Sequence, residues 1–190
     1  MSVLPVLRAG PVTFRSPVPA DIAARLRIGA VPEFVTMCGG VPDTRTPYTE
    51  AHAQAWYERA TAEPFGWCVQ VEGRCIGAAR LHTLDPENHR ARYAIGIFDP
   101  SAWGHGYGSR ATRLVIRFAF EDLSLHRVDL RVLAYNTRAI ACCKRRGFRQ
   151  EGVEREGAWV GDTWHDDVIM SILEHEYRQL RDSWGETEGC

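Results

Sequence analysis

The stretch Ile97-Phe98-Asp99-Pro100-Ser101-Ala102-Trp103-Gly104-His105-Gly106-Tyr107-Gly108-Ser109-Arg110-Ala111 decides the fold. Before it, Tyr93, Ile95 and Ile97 alternate with Ala94, Gly96 and Phe98, which predicts a strand. After it, Ala111, Leu114, Val115 and Phe118 recur at helical spacing, which predicts a helix over 109–122. Between them lie three glycines, which let the backbone turn tightly and let a ligand approach main-chain N–H groups. A helix beginning there presents unpaired N–H groups and a partial positive charge, so the segment from Trp103 to Ser109 suits a pyrophosphate. The spacing G-x-G-x-G is neither the G-x-G-x-x-G of a dinucleotide fold nor a Gly-Lys-Ser/Thr phosphate loop.

Outward from this loop, the N-terminal half opens with a short edge strand at Thr13–Ser16. A helix follows with Asp21 as its expected cap and Gly29 as its stop, then a loop over Val31–Pro47. Thr49 is expected to cap a second helix through Ala55, Trp56 and Arg59. Trp67–Val71 and Cys75–Leu81 read as a hairpin turning at Glu72-Gly73, and Asp85–His89 as a polar loop. Beyond the helix at 109–122, Val128–Val132 alternates as a strand. Asn136 is placed to cap a short helix ending at Gly147, and Val168–Leu173 closes the chain as a final strand. Interleaved helices and hairpins indicate an α/β (α+β mixed) fold: a central mixed, mostly antiparallel sheet with helices on both faces.

The chain has 190 residues, 45% hydrophobic and 25% charged, which suits one globular domain, expected over residues 10–178 with a flexible tail at 179–190. The formal net charge of -1 offers no global field for nucleic acid. No apolar run approaches the ~20 residues of a membrane span and no signal peptide is recognisable, so a cytoplasmic location is expected. The six cysteines form no Cys-x-x-Cys pair, and all are read as reduced thiols. His165-Asp166-Asp167 is a poor metal site, because neighbours on a strand point to opposite faces; no metal is expected.

At this point the sequence resembles the GNAT superfamily of N-acetyltransferases, in particular the branch of RimJ/RimL type that acetylates ribosomal-protein N-termini. Four stretches carry the resemblance in order: IFDPSAWGHGYGSRA, LSLHRVDLRVLAYNTRAI, KRRGFRQEGVEREGAW and DDVIMSILEHEY. The resemblance implies acetyl-CoA as co-substrate, held by the loop Trp103, Gly104, His105, Gly106, Tyr107, Gly108 and Ser109. It implies that Ile97 and Phe98 contact pantetheine, with a Phe98 N–H stabilising the oxyanion, and that Asn136 contacts the cofactor. The strands ending at Phe98 and Leu133 should lie parallel and splay apart. Arg145, Arg146 and Arg149 either grip the adenosine phosphate or form an ordinary exposed face.

Two positions depart from the family pattern: Cys143 stands where many relatives carry a tyrosine near the CoA sulfur, and Ala94 where many carry a glutamate. Cys143 is two helical turns beyond Asn136 and is either a general acid or a packing thiol with water donating the proton. His82, Asp85 and His89 are candidates to replace the missing base. An α-amine with a pKa near 8 gives up its proton at neutral pH for about 1.4 kcal/mol, and a lysine amine for more than ~4 kcal/mol, which favours an α-amine acceptor. The acceptor is a peptide N-terminus or a small-molecule amine, its pocket expected over Asp21–Thr61, where Glu33, Asp43, Glu50 and Glu58 either attract a cation or are ordinary solvated acids. A monomer or homodimer is expected. The alternative reading is a non-catalytic acyl-CoA-binding or regulatory module on the same fold.

Overall fold

The computed structural model describes residues 4–43 and 45–185. Eight strands form one sheet: β1 Leu7–Ala9, β2 Val12–Arg15, β3 Phe65–Val71, β4 Arg74–Asp85, β5 Arg90–Ile97, β6 Arg127–Leu133, β7 Arg149–Val160 and β8 Thr163–Leu173. Their spatial order is β1-β2-β3-β4-β5-β6-β8-β7, and every neighbouring pair is antiparallel except β5 with β6. The helices are α1 Ala20–Ile28, α2 Pro32–Met37, α3 Glu50–Ala62, α4 Tyr107–Arg117, α5 Thr137–Arg145 and α6 Glu174–Gly185, with a π-helical turn at Phe118–Asp122.

The sheet is covered on both sides, and β3 shows why. Trp67, Val69 and Val71 face the larger core, which they share with Ala111, Leu114 and Val115 of α4, while Cys68 faces the opposite side. There Cys75 and Phe98 join it under Ala24 and Ile28 of α1, Phe34 of α2 and Trp56 of α3. Each large side chain so buried contributes roughly 1.5–3 kcal/mol. The stripe read for the central helix is the face of α4 that is buried.

Several expectations need correction. The domain begins before residue 10, because β1 pairs with β2 from Leu7 to Ala9. Asp21 is not a helix cap; Pro19 holds that position, and Asp21 is buried inside α1, where its carboxylate accepts both Arg15 guanidinium nitrogens at 2.7 and 2.8 Å and the Val18 N–H at 2.8 Å. The supposed loop at Val31–Pro47 contains α2, started by Pro32 at its first turn. A whole strand, β7, was not anticipated. Residues 179–185 are not a free tail: they continue α6, whose buried Trp184 packs edge-on against Tyr177 at 5.6 Å. The remainder of that segment, 186–190, lies outside the described residues.

Candidate active site

The site begins where the sheet fails to close. β5 and β6 pair over only Arg90↔Arg127, Ala91↔Val128 and Arg92↔Asp129, and the Arg92 Nε–Asp129 Oδ1 bond of 2.7 Å locks the end of this seam. Beyond it β5 stays with β4 as far as Gly77↔Ile97, while β6 stays with β8 as far as Leu133↔Asp167. The two strands therefore splay. Backbone groups alternate sides along a strand. The Phe98 N–H donates to the Ile76 carbonyl at 3.0 Å, on the β4 side, so it is not available to a ligand as expected. Alternation then turns the N–H groups of Ile95 and Ile97 into the splay, and Ile95 is a residue the sequence reading missed. The Ile97 carbonyl is already taken: the Trp103 indole N–H donates to it at 2.8 Å.

Beside the splay, the loop from Gly104 to Ser109 leads into α4. Gly104 and Gly106 have φ of 80° and 74°, and a Cβ on either would meet no atom within 4 Å. Backbone conformation rather than packing demands glycine there. The first ladder bond of α4 is Arg110 N–H to the Gly106 carbonyl at 3.1 Å. Among the described residues, none of the six N–H groups from Gly104 to Ser109 has a protein acceptor, and the Ser109 hydroxyl is buried without a partner. A row of free donors at the positive end of a helix is a cradle for an anion. Trp103 is the strut that holds this loop against β5, its ring covered by the Arg138 guanidinium at 4.6 Å.

On the opposite sheet face, α1, α2 and α3 enclose a cavity of about 430 Å³ that reaches Ala94, Gly96 and Phe98 of β5. The acids expected to line it do not: Glu33 pairs with Arg138 at 3.3 Å, Asp43 caps the Arg45 and Thr46 N–H groups, Glu58 accepts from Gln54, and Glu50 lies outside. Arg25, Arg59, Arg80, His52 and Glu63 line it instead. The expected replacement bases are absent from the lining too. His82 bonds to Thr83, Asp85 to Asn88, and the His89 carbonyl accepts from His126 and Arg127. Thr49 does cap α3, as a capping box in which His52 Nδ1 accepts the Thr49 N–H at 3.1 Å.

Residues 12–149 match the acetyltransferase (GNAT) domain family. The chain belongs to that family. A Bacillus subtilis protein, YdaF, provisionally named a ribosomal N-acetyltransferase, is 35% identical over 56% of this chain and 57% of its own length. The spermidine N(1)-acetyltransferase of Escherichia coli K12 is 27% identical over 63% of each chain. Both alignments span less than two thirds of the relative. A Thermus thermophilus crystal structure, also provisionally named an acetyltransferase, superposes with a TM-score of 0.84 at 24% identity, covering 99% of this chain and all of that one. The mixed fold with one parallel pair is thus that of GNAT acetyltransferases, which use acetyl-CoA.

Asn136 caps α5 by accepting the Ala139 N–H at 3.1 Å, and its amide also donates to the Met37 carbonyl at 3.1 Å. Tyr135 donates to the neighbouring Thr36 carbonyl at 2.7 Å, so this turn ties the end of α2 to β6. Cys143 lies on the inner face of α5 in the main core, where burial pushes its thiol up to about 12. Arg149 is engaged by Glu176 at 3.0 Å, Arg145 ends α5, and the Nε of Arg146 is buried without a partner. His165 packs edge-on against Tyr135, while Asp166 accepts the Glu156 N–H. The buried group Asp21, Cys68 and Cys75 has ligand atoms within 4.8 Å of one another, but Arg15 occupies both carboxylate oxygens of Asp21.

Proposed function

We propose that this GNAT protein is an acetyl-CoA-dependent N-acetyltransferase acting on a primary amine, within the RimJ/RimL-type branch. The observation that carries the reading is the run of six N–H groups without protein acceptors, set beside an open strand pair. The loop would take the pyrophosphate, and the splay would take the pantetheine arm against the backbone of Ile95 and Ile97. The acetyl group would then meet an amine arriving through the cavity at Ala94 and Gly96. Holding both reactants in one geometry is worth several kcal/mol by itself.

Direct attack of a neutral amine forms the N–C bond and breaks the C–S bond. The developing oxyanion needs an N–H donor, and a splay-facing N–H of β5 replaces the one assigned to Phe98. Cys143 is a poor acid for the departing thiolate. Burial raises its thiol well above that of an ordinary thiol, so proton donation to the departing thiolate runs uphill. We therefore assign Cys143 to packing and the proton to water. On the amine side, Arg25 and Arg59 place positive charge in the cavity, which disfavours a bound ammonium and assists deprotonation without a carboxylate at position 94.

The non-catalytic module remains the second reading because Ala94 and Cys143 fill the positions of the family's carboxylate and phenol. Thiol release from acetyl-CoA with a pool of amines, run beside calorimetric titration with CoA, separates the two. Amine-dependent release supports the enzyme; tight CoA binding with no release for any amine supports the module.

A further inference from the structure

The aromatic rings lining the cavity look at first like a cage for a substrate cation, but the protein has filled it with its own. The guanidinium of Arg25 lies 4.4 Å from the Tyr48 ring centroid and 4.7 Å from that of Phe98. Arg25 is only 6% exposed. A buried cation normally has a carboxylate partner. Among the described residues Arg25 has none: Nη1 donates to the Gly29 carbonyl at 2.5 Å, Nε is buried without an acceptor, and Nη2 has no protein partner. Arg59 lines the same cavity and likewise has no carboxylate among the described residues. The one acid in the lining, Glu63, is taken by Arg80 at 3.4 Å. One buried and one exposed guanidinium, neither with a carboxylate partner among the described residues, thus face a space of about 430 Å³ walled by Phe34, Trp56 and Phe98.

We propose that Arg25, seconded by Arg59, is an anion site that selects acceptors carrying a carboxylate beside the amine: a small α-amino acid with an apolar or aromatic side chain, not a polyamine. This rests on the acetyl-transfer reading for its chemistry but on the cavity alone for its binding. A guanidinium fork matches a carboxylate in geometry and charge, and supplies the partner that Arg25 lacks. The aromatic walls take the side chain. A polyamine would bring more positive charge to a cavity whose own charge is already positive and uncompensated, so like-charge repulsion excludes it.

The test compares phenylalanine, leucine and methionine with their C-terminal amides and with spermidine, at saturating acetyl-CoA. The amides carry the less basic amines, so preference for the acids cannot arise from amine availability. The acids should show kcat/KM at least about tenfold above the amides, with spermidine lowest. Arg25→Met should bring acid and amide within about twofold of each other, and Arg59→Gln, at an exposed position, should narrow the gap without affecting the fold. Amides equal to or better than acids, spermidine as the best acceptor, or a preference that survives both substitutions overturns the site. Should no amine be acetylated, the acetyl-transfer reading fails separately. The site is then read by calorimetry in the presence of CoA, with N-acetylphenylalanine against its amide. About tenfold tighter binding of the acid, lost in Arg25→Met or reduced in Arg59→Gln, upholds it; equal or absent binding sinks it.

Discussion

The two sides of the splay are built from different materials. The loop side, Gly104–Ser109 at the start of α4, offers a ligand backbone N–H groups, and its side chains matter mainly by their absence at Gly104 and Gly106. The cavity side, under α1, α2 and α3, offers Arg25, Tyr48, Arg59 and a set of aromatic rings. A backbone cradle suits a feature common to many proteins, such as a pyrophosphate. A side-chain cavity suits discrimination, because each residue in it can change without rebuilding the sheet. Substitutions that act on one side and spare the other test this division.

The largest effect is expected from Asp21→Asn. Removing one partner of a buried pair leaves Arg15 uncompensated and should cost about 3 kcal/mol in denaturant unfolding. Because the pair anchors α1, the loss should also raise the acceptor KM, while CoA affinity of the folded protein stays unchanged. A loss below about 1 kcal/mol would mean that α1 is held by packing alone. Next is Gly106→Val, which forces a β-branched residue to positive φ beside the free donors. A strain of about 1–2 kcal/mol predicts a roughly tenfold rise in the acetyl-CoA KM with the acceptor KM intact. An unchanged acetyl-CoA KM in a folded variant would displace the cradle from this loop.

Trp103→Phe keeps an aromatic ring but removes the indole donor to the Ile97 carbonyl. About 1 kcal/mol, or roughly fivefold in CoA affinity by calorimetry, is expected from one such bond. Cys143→Ala should change kcat by less than about twofold and leave the pH profile in place; a positioned acid would have shown ~100-fold or more. The smallest effect concerns His82, whose ring burial and the nearby Arg80 and Arg92 hold below its ordinary pKa of 6.5, against the weaker opposing influence of Glu63 and Asp129. The unfolded chain therefore takes up this proton first as pH falls. The stability tied to the neutral ring is complete above about pH 6.5 and is lost as pH falls through the lowered folded value. His82→Gln should flatten the melting temperature between about pH 7.5 and about pH 5 relative to the parent.

The same division explains what the sequence could tell. The loop side was legible because conformation writes itself locally: a positive φ asks for glycine, and three glycines between a strand and a helix are visible in the chain. The alternation of β3 and β5 and the stripe of α4 were equally local. Arg25 was not legible, since its meaning lies in rings from Tyr48 and Phe98 and in the lack of an acid that the fold does not bring near. Asp21 suggested a helix cap for the same reason; its true partner, Arg15, comes from the strand before it. Strand β7 was hidden by its composition. Arg149–Val160 shows no apolar alternation because the strand is mostly exposed, and it is held by backbone pairing to β8 and by ion pairs such as Arg131–Glu154 and Arg127–Glu151. α2 was masked by Pro32, Gly39 and Gly40, which read as loop although the proline starts the helix.

The three-residue parallel seam has a mechanical consequence. With β5 and β6 joined only at the end from His89 to Arg92, the eight strands are two antiparallel half-sheets, β1–β5 and β6–β8–β7, stapled at one end. Each half keeps its own hydrogen-bond ladder if the staple opens, so the amides along it should exchange with solvent sooner than those at the centre of either half. A ligand lying along the splay acts as a second staple. It stabilises the folded chain by mass action and slows exchange at the seam as its concentration passes the dissociation constant, so a bound ligand becomes a temporary structural member of the protein.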